Sequence, residues 1–131
     1  MEIEIEKLFC FLENEYHLEY KFQRFENCFG GHWTVDTYSY FNKTGCFTIQ
    51  ALWQRGEIDF YYSSKISNVR KDLQQKLLDI TSIGKETWKK ASKKLFFLYR
   101  PHLYLKTLSL VIKNEIEQRG EFFGIKVKNN D

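Results

Sequence analysis

No stretch of this chain reaches the roughly 20 consecutive apolar residues that span a bilayer, and its opening is acidic where a secretory signal is basic and then apolar. A soluble protein with no membrane association and a cytoplasmic address is the expectation. Cysteine is scarce and odd in number, at three, which argues against a disulfide framework and for reduced thiols. Cys10, Cys28 and Cys46 fall 18 residues apart, each before a Phe, but their segments share almost nothing else. The close Cys-x2-4-Cys pairs that zinc favours are also missing. Gly30-Gly31 lacks the Lys-Ser/Thr of a phosphate loop, and Ser63 and Ser64 lack the flanking glycines of a nucleophile elbow. His17, His32 and His102 fall in three separate elements with no second ligand at metal spacing. Neither a catalytic constellation nor a metal or cofactor site is expected.

What the chain does have is a core. Hydrophobic residues make up 43% of its 131 positions, charged residues 28% and aromatics 18%, the balance of one folded domain spanning 1–131. A net charge of +3 is too mild to imply a polyanionic partner, but its distribution is uneven. Residues 1–20 carry six glutamates against Lys7 alone, whereas residues 85–100 carry five lysines and Arg100 against Glu86.

Periodicity changes along the chain. Over residues 4–14, Ile5, Leu8, Phe9 and Leu12 repeat at helical spacing, with glutamates where the helix dipole favours them. Over 16–23 the period drops to two, with Tyr16, Leu18, Tyr20 and Phe22 on one side of a strand. Three more strands follow, over 33–41, 46–54 and 57–63, joined by turns at 42–45 and 55–56. From about residue 67 the period is helical. Ser67 or Asn68 caps a stripe of Val69, Leu73, Leu77 and Ile80, then residues 85–99 present Trp88, Ala91, Leu95, Phe96 and Tyr99. Pro101 ends or kinks that helix, and a last one over 102–119 carries Leu105, Leu108, Ile112 and Ile116 before Gly120. A short strand over 121–127 closes the chain and either covers a sheet edge or offers one, so the expected state is a monomer or a weak homodimer. The expected fold class is α+β: an N-terminal helix, a four-stranded antiparallel meander, and two or three C-terminal helices packed on one sheet face.

Two surfaces stand out. Lys85, Lys89, Lys90, Lys93 and Lys94 concentrate positive charge on the helix side away from Trp88 and Leu95. A solvated face is the plain reading of this patch; an acidic protein surface or nucleic-acid phosphate is the functional one. The second surface is the sheet face turned from the helices. In the simplest register it shows His17, Glu19, Lys21, Asp36, Tyr38, Tyr40, Thr48, Gln50, Glu57, Asp59 and Tyr61. Tyrosine among carboxylates suits a protein-binding face, so Asp36, Tyr38, Tyr40, Glu57, Asp59 and Tyr61 are the candidate partner contacts. A rival register runs Trp33, Val35 and Phe41 along one line and sends Tyr38 and Tyr40 into the core. Glu57 and Asp59 also share a face as an acid–base or metal pair would, although solvent-facing charge is the commoner use of such a pair.

The order of elements, the segment Phe11-Leu-Glu-Asn-Glu-Tyr-His-Leu18, the passage Asp59-Phe-Tyr-Tyr-Ser-Ser64, and Trp88-Lys-Lys-Ala91 ahead of a leucine-rich last helix together resemble small bacterial immunity proteins of polymorphic toxin systems. The resemblance implies a cytoplasmic, non-catalytic protein that covers the active site of a cognate toxin with a mixed-charge surface carrying aromatic anchors. The alternative is a nucleic-acid-binding or regulatory protein that uses the basic helix.

Overall fold

The structure, a computed structural model, describes residues 2–28, 30–64, 86, 88–90 and 101–127. The first amphipathic stretch forms α1 (Glu2–Phe9) and one further turn, α2 (Phe11–Asn14). Ile5, Phe9 and Leu12 of the expected stripe are fully buried, each contributing roughly 1.5–3 kcal/mol. The helical run ends at His17, whose φ of 59° is left-handed. Its N–H donates to the Glu13 carbonyl at 3.1 Å and that of Leu18 to the Leu12 carbonyl at 2.9 Å, which satisfies the last carbonyls and turns Leu18 inward.

Four strands follow: β1 (Glu19–Cys28), β2 (Trp33–Asn42), β3 (Gly45–Leu52) and β4 (Glu57–Ser64). They form one antiparallel sheet in the order β1-β2-β3-β4, as the meander pattern predicts. Their ends differ from expectation at two places. β1 starts later and runs to Cys28, with a register shift between Phe25 and Cys28. β3 stops at Leu52, because Trp53–Arg55 winds into a single 3-10 turn closed by Gly56 at φ 64°.

Register decides which side chains fill the core. Tyr20, Tyr40, Phe47 and Tyr62 lie in one row across the sheet, and Phe22, Tyr38, Ile49 and Phe60 in the next. Arg24, Asp36, Ala51 and Ile58 make the third row. All three rows belong to the face on which the core is built, so the rival register of β2 is the correct one. α3 (Pro101–Arg119) places Leu105, Leu108, Ile112 and Ile116, each no more than 1% exposed, into that core. The packing is strongly aromatic: the Phe60 ring centroid lies 6.2 Å from Trp88 and 6.5 Å from Tyr104, and that of Phe9 lies 5.9 Å from Phe47.

The tail forms two very short strands, β5 (Glu121–Phe122) and β6 (Ile125–Lys126), which pair only with each other. Their turn places Phe123 at φ 50° and Gly124 at φ 81°, a hairpin geometry for which Phe is a costly first residue. Burial offsets that strain, since the Phe123 ring stacks on Tyr62 at 4.5 Å and 9°. Phe122 and Ile125 are fully buried, so this hairpin seals the core and does not extend the main sheet. The helices expected over 67–81 and 85–99 lie largely outside the described residues; Glu86 and residues 88–90 are helical, with Trp88 buried.

Candidate protein-binding face

The six candidate contacts divide into two groups. Glu57, Asp59 and Tyr61 alternate with Ile58, Phe60 and Tyr62 along β4 and lie on the face turned from the core, as expected. Asp36, Tyr38 and Tyr40 do not: each is 0% exposed and inward. Their place on the outer face of β2 is taken by Val35, Thr37, Ser39 and Phe41. Every other residue of a strand shares a face, so the correction moves all three together.

What permits a carboxylate inside is its partner on the neighbouring strand. Arg24, opposite Asp36, donates from Nε to Oδ1 at 2.7 Å and from Nη2 to Oδ2 at 2.9 Å, a bidentate pair. The indole Nε1–H of Trp53 donates to Oδ2 at 2.9 Å. The cluster pins three elements together: β1, β2 and the turn after β3. Sequence reasoning missed it, yet the signal was present, since Arg24 has the same parity on β1 as Tyr20 and Phe22 that Asp36 has on β2 as Tyr38 and Tyr40.

The outer face is polar and largely uncharged at its centre. Ser39 Oγ and Thr48 Oγ1 are 3.0 Å apart across β2 and β3, Cys46 Sγ is 3.5 Å from the same Thr48 oxygen, and Thr37 Oγ1 donates to the Gln23 carbonyl at 3.2 Å. Thr37, Cys46 and Thr48, with Gln50, Tyr61 and Ser63, line a shallow, open concavity of about 370 Å³. Tyr61 stands directly across from Thr48, and Asp59 from Gln50. Glu57 sits at the margin, half-exposed and paired with Arg55 at 3.1 Å. Hydroxyl, amide and phenol groups can donate and accept hydrogen bonds in many directions, as a polar protein surface requires. Of the two β4 carboxylates, Glu57 is tied to Arg55, and that of Asp59 accepts the Phe60 N–H at 2.8 Å.

Buried phenols on the other face have their ionisation suppressed. Burial pushes the Tyr40 hydroxyl well above its usual range, with smaller contributions from Tyr20, Glu13, Glu6 and Cys10. Tyr104 is raised likewise, by burial first and then by the nearby Asp59 and Tyr61, so β4's outer groups are felt at α3. Of the basic patch, Lys89 and Lys90 are exposed; Lys85, Lys93 and Lys94 lie outside the described residues. The histidines stay apart. His17 ends a helix, the His32 carbonyl accepts from Gln54 at 2.8 Å, and His102 pairs with Glu4 to join α3 to α1. Among the described residues no three potential metal ligands gather, and no helix is long and apolar enough to cross a membrane. Comparison with family models, curated proteins and solved structures finds no match to this chain.

Proposed function

We propose that this protein is a non-catalytic binding module that docks a protein partner on the outer face of its sheet. More specifically, we propose a cytoplasmic immunity protein that binds and neutralises a cognate bacterial toxin. The observation that carries the reading is the setting of Tyr61: a half-exposed ring with a polar tip, beside a neutral hydroxyl-lined hollow and near the carboxylates of Asp59 and Glu57. A tyrosine so placed offers rigid contact area and a directional hydrogen bond, the two properties that anchor protein interfaces. The architecture-level resemblance to immunity proteins supplies the toxin as the kind of partner.

The test is co-expression with the product of the adjacent gene, followed by affinity capture and a growth assay. Capture of that product and relief of its toxicity are expected, and Tyr61→Ala should weaken binding by about 2 kcal/mol or more, some 30-fold. A neighbour product that is toxic but neither bound nor relieved overturns the reading.

A further inference from the structure

The long first strand offers a different surface. Along β1 every residue from Glu19 to Asn27 is exposed except Tyr20, which is half-buried. Phe22 and Phe25 are 39% and 47% exposed, two of the three large apolar side chains so exposed among the described residues. β1 is the first strand of the sheet, and on its far side no described strand pairs with it. The regular part of that edge, Glu19–Phe25, with two open phenylalanines and no proline, is a template for another strand.

We propose that this strand is the contact between two copies of the chain, which pair antiparallel through β1 about a two-fold axis at Gln23 and so extend the sheet across both. The choice of occupant rests on self-complementarity. β1 carries two acids, Glu19 and Glu26, and two bases, Lys21 and Arg24, so two copies meet without net charge. An axis normal to the sheet keeps each copy's core face on the same side and pairs residues of like parity. With the axis at Gln23, Phe22 faces Arg24 of the second copy and Phe25 faces its Lys21, all within the regular part of the strand before the register shift. Each exposed phenylalanine thus meets a cation, an arrangement the chain already uses internally, where the Arg24 guanidinium lies 5.7 Å from the Phe22 ring centroid. Moving the axis to Lys21 or Arg24 sets like charges face to face, and moving it to Phe22 sets Phe25 against Glu19. The contact is edge to edge and small, below the roughly 1,200 Å² of stable interfaces, so the dimer dissociates on dilution. It leaves the outer faces of both copies on one side, available to a partner, and does not depend on that partner.

Sedimentation velocity of the full chain over a concentration series tests the proposal. A monomer giving way to dimer as concentration rises is expected. Gln23→Lys, an exposed change that leaves the melt unaltered, sets two lysines across the axis and should weaken association about ten-fold or more at low salt. Mixing Gln23→Lys with Gln23→Glu chains should restore it as a heterodimer. A strict monomer at the highest concentration reached overturns the proposal. So does a dimer indifferent to the charge at position 23.

Discussion

Replacing Arg24 by methionine removes the countercharge of a carboxylate that water does not reach. Asp36 is 0% exposed and accepts hydrogen bonds from Arg24 at 2.7 and 2.9 Å and from Trp53 at 2.9 Å. After the substitution only the indole N–H of that set remains. Orphaning one member of a buried ion pair costs about 3–5 kcal/mol, but the Arg24 side chain is 41% exposed and partly screened, so about 2–3 kcal/mol is the better figure. In urea that loss should lower the unfolding midpoint by roughly 1 M, given a slope of about 2 kcal/mol per M. Adding Asp36→Leu to the same chain removes the orphaned charge and should recover part of the loss, leaving a deficit of about 1 kcal/mol for the unpaired indole N–H. The double-variant cycle is therefore strongly non-additive. An Arg24→Met loss below about 0.5 kcal/mol, or simple additivity, would show that Asp36 is not held inside by its partner.

Three further outcomes follow from the same packing. Phe60→Ala opens the centre of the core and should cost about 3–5 kcal/mol, whereas Tyr61→Ala on the outer face should cost about 1 kcal/mol or less; equal thermal melts would mean that the face assignment of β4 is wrong. The Tyr40 hydroxyl is buried with no hydrogen-bond partner among the described residues, so Tyr40→Phe should leave stability unchanged or raise it by up to about 1 kcal/mol, and a clear loss would point to a bridging water. Tyr40 and Tyr104 hold their protons in the folded state above the ordinary value of 10.0 at which the unfolded chain releases them. Stability is then undiminished below that pH and falls as pH rises past it, by about 1.4 kcal/mol per pH unit for each tyrosine. An ultraviolet titration should show both phenols ionising only as the chain unfolds, and their free titration in the native protein would refute the burial.

Helix-forming and strand-forming segments were legible because their apolar residues keep one period over several turns or rungs. The stripe Leu105, Leu108, Ile112, Ile116 and the alternation Ile58, Phe60, Tyr62 each point to a single face, and the structure puts them there. β2 was ambiguous for a physical reason: Trp33, Val35 and Phe41 are as apolar as Tyr38 and Tyr40, and Asp36 argued for solvent. Charge tips such a choice only while it is unpaired. The extent of β1 was lost for the same reason, since Arg24 breaks the alternation at an inward position that is polar only because Asp36 waits opposite. A matched acid and base at the same parity on adjacent strands is thus evidence for burial of both, which reading one strand at a time cannot use.

That correction changes what the aromatic content means. Aromatics at 18% of the chain suggested a surplus displayed on the sheet's open face. In the fold much of it lies inside: among the described residues Phe9, Phe11, Tyr38, Tyr40, Phe47, Phe60, Trp88, Tyr104, Phe122 and Phe123 are all buried in one contiguous cluster. Rings pack edge to face and stacked there, with centroids between 4.5 and 6.5 Å in the contacts that run from Tyr62 through Phe123, Phe60 and Tyr104. A core of this kind needs its tyrosines as filling, so tyrosine count alone is no signature of an interface. Among the described residues the aromatics most open to a partner are Phe22 and Phe25 on the first strand, while Trp33, Phe41 and Tyr61 on the outer face are partly exposed. Two surfaces on opposite sides of one sheet can serve two contacts at once, a partner across the outer face at β4 and a second copy along the edge of β1.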